Sequence, residues 1–268
     1  MNARLILAGA LLAGATQTAF AHETWLTPSA FRAAAGERVR LDLSSGMGFP
    51  RLESPIRAER IAKAAFRLAG AQAALTGFEA GTESLRIHQA FPRDGVATIW
   101  LDLKPKEIEL TDDQVTEYLD EIDARPEVRS AWAARKGQAP WRETYVKHAK
   151  TFVVVGGSGS DASWGEPVGS MLELVPKTSP AGLRAGGRLA VRLLAQGRPL
   201  PGLPVGLMVE GKPGRVFQTT DGQGEAVFSI PQMRQAGRAM LFAVRLVPAG
   251  DGTSWSSDFC TMTFAVRP

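Results

Sequence analysis

Trp141-Arg142-Glu143-Thr144-Tyr145-Val146-Lys147-His148-Ala149-Lys150-Thr151-Phe152-Val153-Val154-Val155-Gly156 is the stretch on which the fold turns. Valine, threonine, tyrosine and phenylalanine crowd it. Such β-branched and aromatic side chains suit a pleated, half-buried surface better than a helix. The segment therefore predicts one long strand. Immediately after it, residues 156–165 read Gly-Gly-Ser-Gly-Ser-Asp-Ala-Ser-Trp-Gly, the most linker-like composition in the chain. A boundary at 165 divides the chain into a first part, 22–165, and a second, 166–268.

Beyond the linker, short apolar segments follow one another with Gly/Pro turns between them: 171–175, 188–195, 205–210, 215–219, 226–230, 239–247 and 259–266. Seven strands in about a hundred residues is the pattern of an immunoglobulin-like sandwich. Thr220-Asp221-Gly222-Gln223-Gly224 is a tight connecting turn. Upstream, 36–43 alternates apolar and polar residues, and 61–68, 85–90 and 96–103 are further strand candidates. The loop 44–55 is rich in Gly, Ser and Pro, yet it carries Met47, Phe49 and Leu52, which are expected to tuck against the core. From Lys104 the texture changes. Thr111 is a capping residue followed by Asp112 and Asp113, and Val115, Tyr118, Leu119 and Ile122 recur at helical spacing. A second helix is expected from Pro126 to Lys136, with proline in its first turn. The fold expected is mainly β: an N-terminal β-rich domain with a helical insertion at about 111–136, then a C-terminal Ig-like β-sandwich.

The amino terminus reads as a secretory signal. Arg4 is its positive region, 5–15 an apolar run too short to span a bilayer, and Ala19-Phe20-Ala21 a small-residue cleavage site. Cleavage after Ala21 gives a periplasmic protein starting at His22, with 1–21 removed. No other stretch is long and apolar enough for a transmembrane helix. The formal charge of +4 falls to +3 once Arg4 is lost, with both signs interspersed, which does not suggest nucleic acid. The single cysteine, Cys260, sits in an apolar alternating stretch and is expected to be a buried, inert thiol, so no internal disulfide holds the chain.

Catalytic vocabulary is thin. There is no Gly-x-Ser-x-Gly elbow, no His-Glu-x-x-His, no phosphate loop and no dinucleotide fingerprint. The helical acids read as a solvated face. The chain's three histidines are His22, His88 and His148. A free amino terminus at His22 has a pKa of about 7.7–8.0. Its amine and imidazole Nδ1 can close one chelate ring on a metal, and a second imidazole would complete a three-nitrogen, tetragonal site suited to copper(II), then nickel(II). The other amino-terminal motif needs histidine at the third mature position, which is Thr24. Sharing one metal requires His22 to come within about 5 Å of His148 or His88, at ~2 Å metal–nitrogen bonds. Trp25 and Leu26 are placed to pin the terminus against fraying. Met47 is a conceivable soft ligand but is expected to be core.

Ala21-His22-Glu23-x-Trp25-Leu26-x-Pro28, then Ile108-Glu109-Leu110 with Tyr118-Leu119, then Arg142-Glu143-x-Tyr145-x-Lys147-His148-Ala149-Lys150, resemble a family of bacterial periplasmic proteins sharing a domain of unknown function, DUF4198. Leu172-Glu173-Leu174-Val175-Pro176 and Gly197-x-Pro199-Leu200 with Thr220-Asp221-Gly222 extend the resemblance over nearly all of the mature chain. Its members are often labelled periplasmic components of cobalt or nickel uptake systems. The resemblance implies a divalent transition metal, cobalt or nickel by that label and copper by the donor set of His22, as ligand and an inner- or outer-membrane transporter as partner.

The function expected is a non-enzymatic, periplasmic metal-binding accessory protein. His22 is its first ligand, His148 the second imidazole with His88 as substitute, and Glu23 or Tyr145 an outer or axial group. A copper monooxygenase is the enzymatic alternative, since lytic polysaccharide monooxygenases also begin at a histidine on a β-sandwich. An Ig-like partner-binding module that uses no metal is the third reading.

Overall fold

The computed structural model describes residues 22–157 and 161–268, so the signal-peptide reading and part of the linker lie outside the described residues. The middle layer is a ten-stranded sheet. Its path runs Val216–Thr219, Pro204–Val209, Gly237–Pro248, Trp255–Val266, Trp141–Val155, Gly95–Leu103, Ile61–Leu68, Ala71–Ala74. The long strand expected from its composition is at the centre. It runs parallel to the C-terminal strand, from Glu143 opposite Trp255 to Thr151 opposite Thr263. Its other edge is shared: Lys106–Leu110 pairs with Trp141 to Tyr145, and Gly95–Leu103 pairs with Phe152 to Val155. The two parts of the chain on either side of 165 are thus joined by one sheet, while each has a core of its own.

Alternation along the central strand sends its side chains to two different layers. Ala149, Val153 and Val155 join Leu26, Leu41, Leu43, Ile87, Ile99 and Leu101 in one core. That core lies beneath a five-stranded sheet containing Glu23–Pro28, Arg38–Gly46, Leu85–Ala90 and Phe78–Ala80. Phe152 faces the opposite way, into a core with Leu174, Val191, Leu193, Phe228, Leu241, Met262 and Phe264. A four-stranded sheet containing Leu172–Pro176, Arg188–Ala195 and Glu225–Ser229 covers that side. The result is three stacked layers, mainly β as the sequence predicts, with sandwich packing on both faces of the middle sheet.

The helical insertion is α1 (Asp112–Glu121) and α2 (Pro126–Ala133). Thr111 and Gln114 close a capping box: Gln114 N donates to Thr111 Oγ1 at 3.4 Å, and Thr111 N donates to Gln114 Oε1 at 2.9 Å. Val115, Tyr118 and Leu119 are buried against the sheet. Trp141 is the anchor, stacked on Trp255 at 4.3 Å and edge-on to Trp132 at 5.2 Å. Beneath α1, buried Glu143 accepts bonds from Tyr118 at 3.2 Å, Trp141 at 2.8 Å and Ser257.

One local expectation changes. Met47 is not core: it is 45% exposed, while its neighbour Phe49 takes the buried place against Trp25 at 5.7 Å. The loop leaves room for one anchor, and Glu53 fixes its backbone by accepting from Met47 N and Gly48 N. Ile108-Glu109-Leu110, just before the helical insertion, ends a strand in which alternation turns Leu110 inward while the ladder to Trp141 forms. Thr27 and Pro28 complete the first strand. Pro28 is tolerated there because Glu23–Pro28 pairs on one side only within its sheet. Among the described residues, no helix is long and apolar enough to cross a membrane.

Candidate functional site

The first described residues are held from three directions. Glu23–Pro28 forms a ladder with Arg38–Gly46, Glu23 opposite Gly46. From the middle sheet, Thr261 Oγ1 donates to Thr24 O at 2.7 Å and Thr263 Oγ1 to Leu26 O at 2.5 Å. Trp25 is 0% exposed among Phe49, Met240 and Phe242. The Lys147 ammonium donates to the carbonyl of His22 itself. The segment from His22 onward is therefore a fixed wall, as Trp25 and Leu26 led us to expect.

That wall borders a cleft of about 700 Å³ between the two sheets. His22 and Thr24 line it from the first strand, Tyr145 and Lys147 from the central strand, Lys106 from the strand paired with it, and Arg57, Glu59 and Arg60 from the segment before Ile61–Leu68. Lys106 is opposite Tyr145 in the ladder, so the two share a face. Tyr145 is sandwiched: the Lys147 ammonium is 5.1 Å from its ring centre and the Arg60 guanidinium 5.9 Å. Arg60 also donates to Lys104 O at 2.7 Å.

Burial controls the charge states here. It pushes the Lys147 ammonium down to about 8, against the pull of Glu23. Burial first, and then the Lys147 charge, lowers the His22 imidazole, with Glu53 opposing. The imidazole is thereby favoured in its neutral, lone-pair form. Burial raises the Tyr145 phenol despite Arg60. It also raises the Glu23 carboxyl, although Arg215 is 3.5 Å away. Glu23 turns towards Arg215 and does not line the cleft, so of the two outer groups expected only Tyr145 is beside His22.

The other two histidines lie elsewhere. Lys147 reaches His22, so strand alternation sends His148 through the sheet to the opposite layer. There it is buried with Trp100, Ser170, Leu174 and Cys260. Its Nδ1 is 2.8 Å from Asp102 Oδ1 and its Nε2 3.9 Å from Asp258 Oδ1. Burial opposes its charge, but the two carboxylates outweigh that and raise its pKa. Ser170 donates to the same Asp102 oxygen at 2.6 Å. The carboxylate thus stands between hydroxyl and imidazole, the wrong order for an activated nucleophile, in which the imidazole must touch the hydroxyl. His88 is opposite Arg40, six residues along the strand from Gly46, which puts it roughly 20 Å from the His22 end of the ladder. It faces Glu79 at 3.8 Å. Among the described residues, no three of His, Cys, Asp and Glu cluster as a metal site. Cys260 is buried, and burial pushes its thiol far up, so it is inert as expected.

The cationic lining of the cleft was not visible in the sequence. Arg57 and Arg60 come from one loop, Lys106 from a strand edge and Lys147 from the central strand. No local motif joins them, and only the parity of Tyr145 and Lys147 on one strand hinted at a shared face.

A family model described as "Domain of unknown function (DUF4198)" matches residues 19–243, and the chain belongs to that family. No curated protein matches it. Solved structures that the chain matches include the D0-D1 domain of intimin, at 11% identity over 88% of this chain and 96% of that one, TM-score 0.23. The human OSCAR ligand-binding domain is 13% identical over 92% of this chain and 98% of that one, TM-score 0.22. A Salmonella alpha-2-macroglobulin reacted with methylamine is 10% identical over 93% of this chain and 15% of that one, TM-score 0.24.

Proposed function

We propose that this DUF4198 protein is a periplasmic metal-binding accessory protein whose mature amino terminus, His22, is the metal seat. The observation that carries the reading is the fixed position of His22 on the wall of the 700 Å³ cleft, with its carbonyl held by Lys147. After cleavage behind Ala21, the amine and the imidazole would both belong to one immobilised residue of the cleft wall. Two nitrogens that need not be gathered from elsewhere bind a divalent copper, nickel or cobalt ion with little ordering cost. His148 and His88 are not drawn on, since one lies across the sheet and the other far along it. Tyr145 lies beside the seat, as it would in a copper monooxygenase, but neither histidine is placed to add that enzyme's second imidazole. A seat with two protein nitrogens leaves the ion's remaining positions open, which suits an ion that is carried and handed on to a membrane transporter better than one retained for chemistry.

The test uses mature protein beginning at His22. Copper(II) and nickel(II) affinities are measured by competition with a chromophoric chelator for three forms: wild type, His22→Ala, and a form with one alanine added before His22. The added residue turns the amine into a peptide nitrogen and leaves the imidazole in place. Both changes are expected to lower affinity by more than about 100-fold, beyond the 10–100-fold typical of losing an outer-shell partner. Unchanged affinity in either form overturns the reading.

A further inference from the structure

The lining of the cleft is unbalanced in a way that a bare cation does not explain. Arg57, Arg60, Lys106 and Lys147 face it, against the single carboxylate of Glu59. A site evolved for a free divalent cation gathers carboxylates and neutral nitrogens, and positive charges held within the cleft repel such an ion. Arg57, its side chain 84% exposed and 4.0 Å from Glu59, and exposed Lys106 form a solvated rim, but the inner pair is not a solvated face. Lys147 is buried, and Arg60 is held over Tyr145 and tied to Lys104 O, so both are aimed inward by the fold. Arginine guanidinium groups in fixed positions recognise carboxylates through paired N–H bonds. The volume, about 700 Å³, is that of a small-molecule site and far exceeds what one ion needs.

We propose that the cargo is a metal–polycarboxylate chelate: the nitrogens of His22 take the ion, and Arg57, Arg60 and Lys106 hold the carboxylates of the small chelator that fills its remaining positions. This rests on the reading of His22 as the metal seat and adds the class of ligand that arrives with the ion. Lys147 keeps the His22 carbonyl in place and supplies positive potential at the inner end. Tyr145, between Lys147 and Arg60, forms an aromatic floor. The arrangement reconciles a cation-binding residue with a cationic pocket, because the chelate reaching it carries net negative charge.

Equilibrium dialysis with radiolabelled citrate tests this, using mature protein with citrate alone, with nickel(II) alone and with both at equal concentration. The expected result is about one citrate retained per chain when nickel is present, at an affinity about tenfold or more above that of citrate alone. Arg57→Ala with Lys106→Ala, both at the mouth of the cleft, is expected to lower citrate retention about tenfold or more while leaving the affinity for nickel alone within about twofold. Arg60→Ala tests the inner contact, and circular dichroism verifies that each variant is folded. If citrate strips nickel from the protein and is not itself retained, or if the Arg57/Lys106 variant retains citrate as wild type does, the proposal is overturned and the His22 seat stands. If inorganic phosphate displaces the labelled citrate at equal concentration, the polycarboxylate class is overturned. If His22→Ala binds nickel and nickel–citrate as wild type does, the seat and the chelate proposal fail together.

Discussion

Lys147 and Lys150 are two buried lysines on one strand, and their different surroundings separate what is structural in this protein from what is available for binding. Lys150 faces the four-stranded layer, where Glu173 accepts its charge at 2.5 Å and Leu174 O accepts a second bond at 2.9 Å. Glu173 in turn accepts from Val168 N at 2.7 Å and Gly169 N at 2.9 Å. Every partner is internal, and the cluster fastens the segment after the linker to the middle sheet. Lys147 faces the other layer. It has a backbone carbonyl for a partner, lies over the rings of Tyr145 and Phe259, and borders open space. The same contrast holds for the histidines flanking the sheet: His148 is closed between carboxylates, and His22 borders the cleft. Residue type does not distinguish the two sides. Whether the side chain borders the cleft does.

The comparison can be broken from the closed side first. Glu173→Ala leaves the Lys150 charge buried and two backbone N–H groups without acceptors. It should cost about 3–5 kcal/mol in urea unfolding, the usual penalty for a stranded buried charge; a loss under ~1 kcal/mol would show that the cluster is not a fastener. Trp25→Ala opens a cavity beside Phe49, Met240 and Phe242. Its expected cost is about 3–4 kcal/mol, with increased hydrogen exchange along Glu23–Pro28 if the first strand is held as described.

The His148–Asp102 pair gives a smaller effect that depends on pH. The His148 pKa is raised from 6.5, so its contribution is complete below pH 6.5 and is lost as pH rises through the folded value. Burial disfavours the Asp102 charge, but bonds from His148 and Ser170 outweigh it and lower the pKa from 3.8. That contribution is complete above pH 3.8 and is lost as pH falls through the folded value. The pair therefore stabilises most between pH 3.8 and 6.5. The stability difference between wild type and His148→Gln should shrink as pH rises from 6 to 9; a flat difference refutes the pairing. Smallest is Lys147→Met, which keeps the apolar stem and removes a charge that burial already disfavours. Stability should change by less than about 1 kcal/mol, while metal affinity falls because the His22 carbonyl loses its holder. A large loss of stability would put Lys147 on the structural side.

Patterning carried much of the fold into view. The β-branched run at 151–155, the capping box at Thr111 and the turn-punctuated strands after 171 each have a local cause that a sequence displays. The shared sheet was hidden, because nothing in Glu143 or Trp255 signals that they will pair across a hundred residues. Of the residues lining the cleft, His22 and Tyr145 were legible in the sequence as site candidates. His22 followed from the cleavage pattern, and its neighbours Trp25 and Leu26 hold it as their apolar character suggested. Assigning a partner to it needed strand parity relative to the layers, which sends His148 one way and Lys147 the other. The arginines were invisible for a related reason: residues converging from separate loops leave no spacing to read.

The bonds from Thr261 and Thr263 to the backbone of Thr24 and Leu26 tie the last strand of the chain to the first. Contacts of such long sequence separation form late, since a large loop must be closed before they stabilise anything. The central strand also waits for Trp255–Val266 to cover its parallel edge. Removing Trp255–Val266 would strip the central strand of its parallel partner and the first described strand of two of its bonds, so the two ends of the described chain are one mechanical unit.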